Sequence, residues 1–295
     1  MSTRTRLGPV ARGMLWAVAT GVFFTVLNVV LRKLTLEMSP YEVQFLRYFV
    51  GLVVMLPWIL AAGFAAFRPN GFAGQLGRGV IHTVGLTIWY TALPHLPIAD
   101  STAISFTIPI FVMIGAWLFL SERMVATRWL AAFVGFAGVL IVLAPNLGGS
   151  GGLYNLVMLA AQPVFAATLL ITKVLTRRDR PEVIVVWQAI AIGLFTLPIA
   201  LIDWSWPTPQ QWGWFFVAAI LGNAGQYCLA HSLLATEASA TQSVRFLELV
   251  WASALGMVFF GDPLSRTTLV GGLVILAATV WIARLEARRR SSRST

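Results

Sequence analysis

Within the stretch 238–260 the sequence sets Gln242, Arg245 and Glu248 three residues apart in an otherwise apolar run. On a helix that spacing puts all three along one face, with Trp251 following them. A charge at mid-bilayer costs about 2.5–3.5 kcal/mol, so such residues must face one another or a shared cavity. Two chemistries fit. Arg245 and Glu248 pair and fix helix packing, or Arg245 grips a carboxylate while Glu248 carries a proton.

Two further stripes mix hydrogen-bonding groups with aromatic planes. Gly222, Asn223, Gln226, Tyr227 and His231 fall within three turns of one apolar run, and His82, Thr83, Leu86, Trp89 and Tyr90 occupy the matching stretch of another. A lining of this kind suits a molecule with a ring or apolar body and a few polar groups. Asn28, Ser105 with Thr107, Gln162 beside Pro163, and Gln188 after Trp187 complete the polar set, and Arg47 sits deep enough in its run to need a partner. Aromatic residues near helix ends also form the interfacial belt of membrane proteins. That reading is taken for Trp204, Trp206, Trp212 and Trp214, less so for Trp89, Tyr90 and Trp187. His82 by itself reads as an interior histidine as readily as a proton carrier.

Other chemistries are missing from the sequence. Cys228 is the lone cysteine, and His82, His95 and His231 have no ligand spacing with it, so neither a disulfide framework nor a metal centre is expected. No His/Asp/Glu cluster, serine-nucleophile motif or Gly-rich phosphate loop points to an enzyme, a cofactor or direct use of ATP.

The elements that must position these residues are membrane spans. Of 295 residues 58% are hydrophobic and only 11% charged, where a soluble domain carries roughly 25% charged residues; mean hydropathy is +0.80. The fold class expected is all-α and polytopic. Ten spans are read at 13–31, 41–62, 75–93, 99–120, 127–144, 153–175, 183–202, 211–234, 238–260 and 267–285, each near the length that crosses about 30 Å of hydrocarbon. The first run is too long for a signal-peptide core and lacks a cleavage site, so it counts as a span. Pro57, Pro109, Pro163 and Pro198 fall inside spans, where a missing donor bends a helix or frees a carbonyl.

The net charge of +10 lies in loops and tails, which argues for topology and against nucleic acid. With both termini on the cytoplasmic side, sixteen of the 21 Lys and Arg face inward, Arg78 and Lys173 among them. Arg32, Lys33 and Arg266 face outward, and Arg47 and Arg245 lie within spans.

Glu122 and Asp262 stand 140 positions apart after similar apolar runs, and the same offset relates Lys33 to Lys173, Gly85 to Gly225, Leu93 to Leu233, Phe106 to Phe246 and Thr127 to Thr267. A register held over several helices marks a duplication. It divides the chain into a first five-helix repeat, 1–146, a turn-rich linker, 147–152, and a second repeat, 153–295, with a basic tail. Five spans is an odd number, so the halves must enter the bilayer in opposite senses. Two inverted five-helix repeats are the architecture of alternating access around a midplane site. Spans five and ten have almost no polar side chains at mid-length and are read as peripheral, leaving eight helices around a central path.

Each half closes on an apolar run followed by an acidic residue: Pro109-Ile-Phe to Leu120-Ser-Glu122, and Glu248-Leu-Val-Trp to Phe260-Gly-Asp262-Pro. With ten short spans and a five-plus-five repeat, this resembles the EamA family of the drug/metabolite transporter superfamily. The resemblance implies a secondary carrier of small metabolites, with amino acid exporters, aromatic ones of the YddG type included, as the leading comparison, and carriers of nucleotide sugars or purines as the alternative. It also implies a bacterial-type inner-membrane protein, monomeric or weakly homodimeric, whose partners are a small-molecule substrate and the lipid bilayer. The chain departs from the family pattern at Leu249, where a proline often follows the glutamate, and at Ile108, where the first half would carry that glutamate. Motif transfer therefore reaches Glu248 alone.

Overall fold

The computed structural model describes residues 9–120, 126–143, 152–235, 247–261 and scattered positions of 266–281. Among these residues the chain is helical: α1 (Pro9–Glu37), α2 (Pro40–Ala62), α3 (Phe72–Ala92), α4 (Ile98–Ser105), α5 (Ile108–Leu120), α6 (Ala126–Leu143), α7 (Gly152–Leu175), α8 (Pro181–Ala200), α9 (Pro209–Ala235) and α10 (Leu247–Phe260). Five stretches in this set are long and apolar enough to cross a bilayer: Arg12–Glu37, Pro40–Ala62, Ile98–Leu120, Gly152–Leu175 and Pro181–Asp203. The expected linker and the final span fall largely outside the described residues, as do Glu122, Gln242, Arg245 and Asp262.

Local chemistry explains where helices start and stop. Pro40 and Pro181 open α2 and α8, where the missing N–H costs nothing because no helical acceptor precedes it. Gly63 ends α2 at φ +78, a left-handed conformation that glycine adopts without Cβ strain. Several buried threonines are satisfied inside their own helices. Thr25, Thr168, Thr172 and Thr196 each donate to the carbonyl four residues back, so a hydroxyl can sit in an apolar helix without a partner from another one. The outward faces are apolar, with Leu15, Val22, Leu60, Leu140, Leu194 and Ile220 exposed, as lipid-facing helices require.

The fourth span is not one helix. The ladder breaks at Phe106–Thr107 between α4 and α5, because Pro109 cannot donate to the Ser105 carbonyl and its ring crowds that group. Short bonds of the i→i+3 kind, Phe106 to Ala103 and Thr107 to Ile104, bridge the gap. Pro57, Pro163 and Pro198 are passed by continuous helices.

The packing repeats itself on exchange of the halves. α1 lies on α9 as α7 lies on α3, α2 lies on α9 as α8 lies on α3, and α1 meets α10 as α7 meets α5. α2 and α8 pack on each other and run antiparallel: Glu42 at the start of α2 bonds Ser205 just beyond the end of α8, while the turn after α2 bonds the turn before α8. Among the described residues α6 touches only α4 and α5 appreciably, which fits a peripheral fifth span. The basic residues need one correction. Arg78, expected in a loop, lies within α3, and Arg32, Lys33 and Lys173 lie within α1 and α7.

Candidate functional site

A cavity of about 180 Å³ sits between the halves. Helical periodicity decides which side chains reach it. α3 contributes Arg78, His82, Leu86 and Trp89 at intervals of three and four residues, with Tyr90 beside Trp89; α1 contributes Thr20, Phe24, Leu27, Asn28 and Leu31 on one stripe. Arg47 and Tyr48 come from α2, Thr102 and Ser105 from α4, and Ile108 from the far side of the helix break. The second half supplies Phe165, Thr168, Leu169 and Thr172 from α7, Gln226 and Leu229 from α9, and Glu248 from α10.

The broken span matters here. Ser105 ends α4 and Ile108 begins α5, so the interruption faces the cavity, which is where irregular backbone is tolerated at membrane depth.

Arg78 is held on the wall by two side-chain bonds. Its Nε donates to Thr172 Oγ1 at 2.6 Å and its Nη2 to Gln188 Oε1 at 2.7 Å, and Gln188 Nε2 lies 3.5 Å from His82 Nδ1. Arg47 lies with its guanidinium 3.9 Å over the Tyr48 ring. Its room comes from the other half: a Cβ added at Gly222 would fall inside that guanidinium. Gly21 does the same for the acidic wall, since a Cβ there would meet Glu248 Cγ at 2.9 Å. The aromatic surface comprises Trp89 and Tyr90, edge to face at 5.1 Å, and Phe165, which meets His82 edge-on at 5.8 Å.

Among the residues singled out from the sequence, the cavity gathers Asn28, Arg47, His82, Trp89, Tyr90, Ser105, Gln226 and Glu248. The others lie elsewhere. Gln162 bonds the Met158 carbonyl of its own helix, and Asn223 donates to the Gly51 carbonyl at 2.9 Å, tying α9 to α2. Trp187 donates to the Phe67 carbonyl at 2.8 Å. Gln188 stands behind Arg78 as its acceptor. Tyr227 turns to Glu182, with His231 and Trp16 against it. Trp251 is 52% exposed, and Arg245 lies outside the described residues. Sequence reasoning missed Arg78, Thr172 and Phe165. For Arg78 the signal was there: it stands four residues before His82, on the same helical face. Among the described residues no group of His, Cys, Asp and Glu could hold a metal ion.

Comparison with known proteins places this geometry in context. The model of the EamA-like transporter family matches residues 11–144 and again 152–284. The chain is 34% identical over 280 residues to a riboflavin transporter of Rhizobium johnstonii, covering 94% of this chain and 92% of that one. It is 28% identical to an S-adenosylmethionine uptake transporter of Rickettsia prowazekii, with 95% of each covered, and 26% identical to the pseudopaline exporter CntI of Pseudomonas aeruginosa, with 92% and 96% covered. A solved crystal structure at 16% identity superimposes with a TM-score of 0.74 over 94% of this chain and 98% of the other.

Proposed function

We propose a carrier mechanism that proceeds from one fact: this chain belongs to the EamA-like transporter family, whose pattern its two halves match in turn. It is therefore a multi-pass membrane protein of a transporter family, and the finer reading is ours. The chain acts as a secondary carrier rather than a catalyst, moving a small ring-bearing metabolite by alternating access, with aromatic amino acids as the first candidates and export as the direction. It sits in the bacterial inner membrane with both termini cytoplasmic, as a monomer or weak homodimer.

The observation that supports this reading is the chamber itself. It is lined from both halves, so a relative movement of the two changes its walls together. Trp89, Tyr90, Phe24 and Phe165 offer ring faces, and His82, Asn28, Ser105 and Gln226 offer hydrogen-bonding groups, within one enclosure. Binding energy from such a lining is specific for molecules that present both kinds of surface.

A second reading has its own support. The 34% identical relative is named a riboflavin transporter, and a flavin is also a flat ring system with polar edges.

Counterflow in proteoliposomes separates these. Vesicles preloaded with unlabelled compound should show saturable entry of labelled L-phenylalanine or L-tryptophan, or of riboflavin on the second reading. No saturable movement of the amino acids removes the first assignment, and no saturable movement of any of the three removes both.

A further inference from the structure

We propose that Arg47 and Arg78 form a preformed anion subsite in the chamber, so that the molecule bound there carries a carboxylate or phosphate beside its ring. The proposal deepens the carrier reading above and rests on it for the word substrate.

Both guanidinium-bearing residues are buried, at 3% and 2% exposure, and both line the cavity. Both keep donors unused. Arg78 Nη1 and Arg47 Nε and Nη1 are buried with no hydrogen-bond partner among the described residues. The acceptors that Arg78 does have, Thr172 Oγ1 and Gln188 Oε1, are neutral, and Arg47 lies over the face of Tyr48 and against Gly222. No carboxylate is paired with either arginine among the described residues.

A purely structural arginine at this depth would be expected to spend its donors on carboxylates or backbone carbonyls, because an unpaired buried charge is strongly destabilising. Here the two bonds to Arg78 fix the plane of its guanidinium and leave Nη1 without a partner among the described residues. Gly222 and Tyr48 hold the second guanidinium in place on the adjacent helix. Two oriented cations with free N–H groups are what a planar or tetrahedral oxyanion needs, since charge-assisted pairs of this kind are the strong ones. Among the described residues the wall contains one carboxylate, Glu248, against the two guanidinium groups. The rings of Trp89 and Tyr90 lie in the same enclosure, where the apolar body would sit.

The test is binding to the detergent-solubilised full-length chain, read by thermal shift and by titration calorimetry, with four small compounds sharing one ring: 3-phenylpropionate, phenyl phosphate, 3-phenylpropanol and phenethylamine. The two anions should bind at least about tenfold more tightly than the alcohol or the amine, the size of one charge-assisted hydrogen bond. Whichever anion binds better tells carboxylate from phosphate. Arg78→Gln and Arg47→Gln should each remove about tenfold of that preference, while Arg78→Lys, which keeps the charge, retains part of it. Alcohol or amine binding as tightly as the anions overturns the subsite, and so does an anion preference that survives both glutamine variants. Should a variant fail to fold, the four-compound series on the unaltered chain decides. Saturable counterflow without charge preference sinks the subsite and leaves the carrier; charge-selective binding with no counterflow of any compound does the reverse.

Discussion

The two ends of the bundle are built from equivalent turns of the two repeats, yet they are fastened very differently. At one end the turn between α2 and α3 meets the turn between α7 and α8. The buried Asp179 carboxylate accepts Asn70 N at 2.7 Å and Gln75 Nε2 at 2.8 Å, and Asn70 Nδ2 donates to the Arg178 carbonyl at 2.6 Å. Arg180 and Trp187 add bonds to the Ala66 and Phe67 carbonyls. At the other end the turn between α1 and α2 meets the segment between α8 and α9. There Glu42 Oε2 accepts Ser205 Oγ at 2.9 Å and Ser205 N at 3.4 Å, and Gln211 Nε2 reaches Glu37 at 3.1 Å on the exposed surface. Each end has a buried carboxylate with two donors, but the first adds three further bonds and the second a single exposed one. Each additional bond raises the cost of separation, whereas an exposed pair is worth little. Duplication thus fixes which turns meet, and the side chains decide how firmly.

Under alternating access, the end fastened by Asp179, cytoplasmic in the orientation proposed, has more bonds to break on opening than the other. Asp179→Ala should have the largest effect, relaxing that end by about 2–4 kcal/mol. It is read as faster labelling of a cysteine placed at Ser105, in a Cys228→Ser background, by an impermeant maleimide offered from that side; unchanged labelling would mean the fastening does not close the path. Trp187→Phe removes one bond and keeps the ring, so the same measurement should move by about 1 kcal/mol. Glu42→Gln should shift labelling from the opposite side by less than that, because Glu42 Oε1 is already buried without a partner among the described residues. Gln211→Ala, at the exposed pair, should stay within about 0.5 kcal/mol of the parent on either side. If Gln211→Ala matched Asp179→Ala, the contrast between the ends would collapse.

The helices were legible because a bilayer demands long apolar runs, and those runs carry their own boundaries. Pro40, Pro181 and Gly63 mark starts and stops by local chemistry alone. The direction of side chains within a span was less so. Asn223 and Trp187 look like cavity groups in sequence, but each finds a backbone carbonyl at a neighbouring turn or helix, an acceptor that no pattern of residue types announces. Arg78 was read as a loop cation because charge near a span end usually belongs to the loop, yet Thr172 and Gln188, 94 and 110 positions away in the chain, supply acceptors that let it stay inside. The helix break had a visible cause in Pro109, but Pro57, Pro163 and Pro198 carry the same signal and their helices continue. The fastening at Asp179 joins turns more than 100 residues apart, beyond the reach of any local periodicity.

Gly222 stands 140 positions after His82, so the same site in the two repeats holds an imidazole in one and a bare hydrogen in the other. That single difference opens the space into which Arg47 leans from α2. The twin halves therefore furnish their common room by unlike means, and one methyl group gained at residue 222 would evict a cation that belongs to the opposite half.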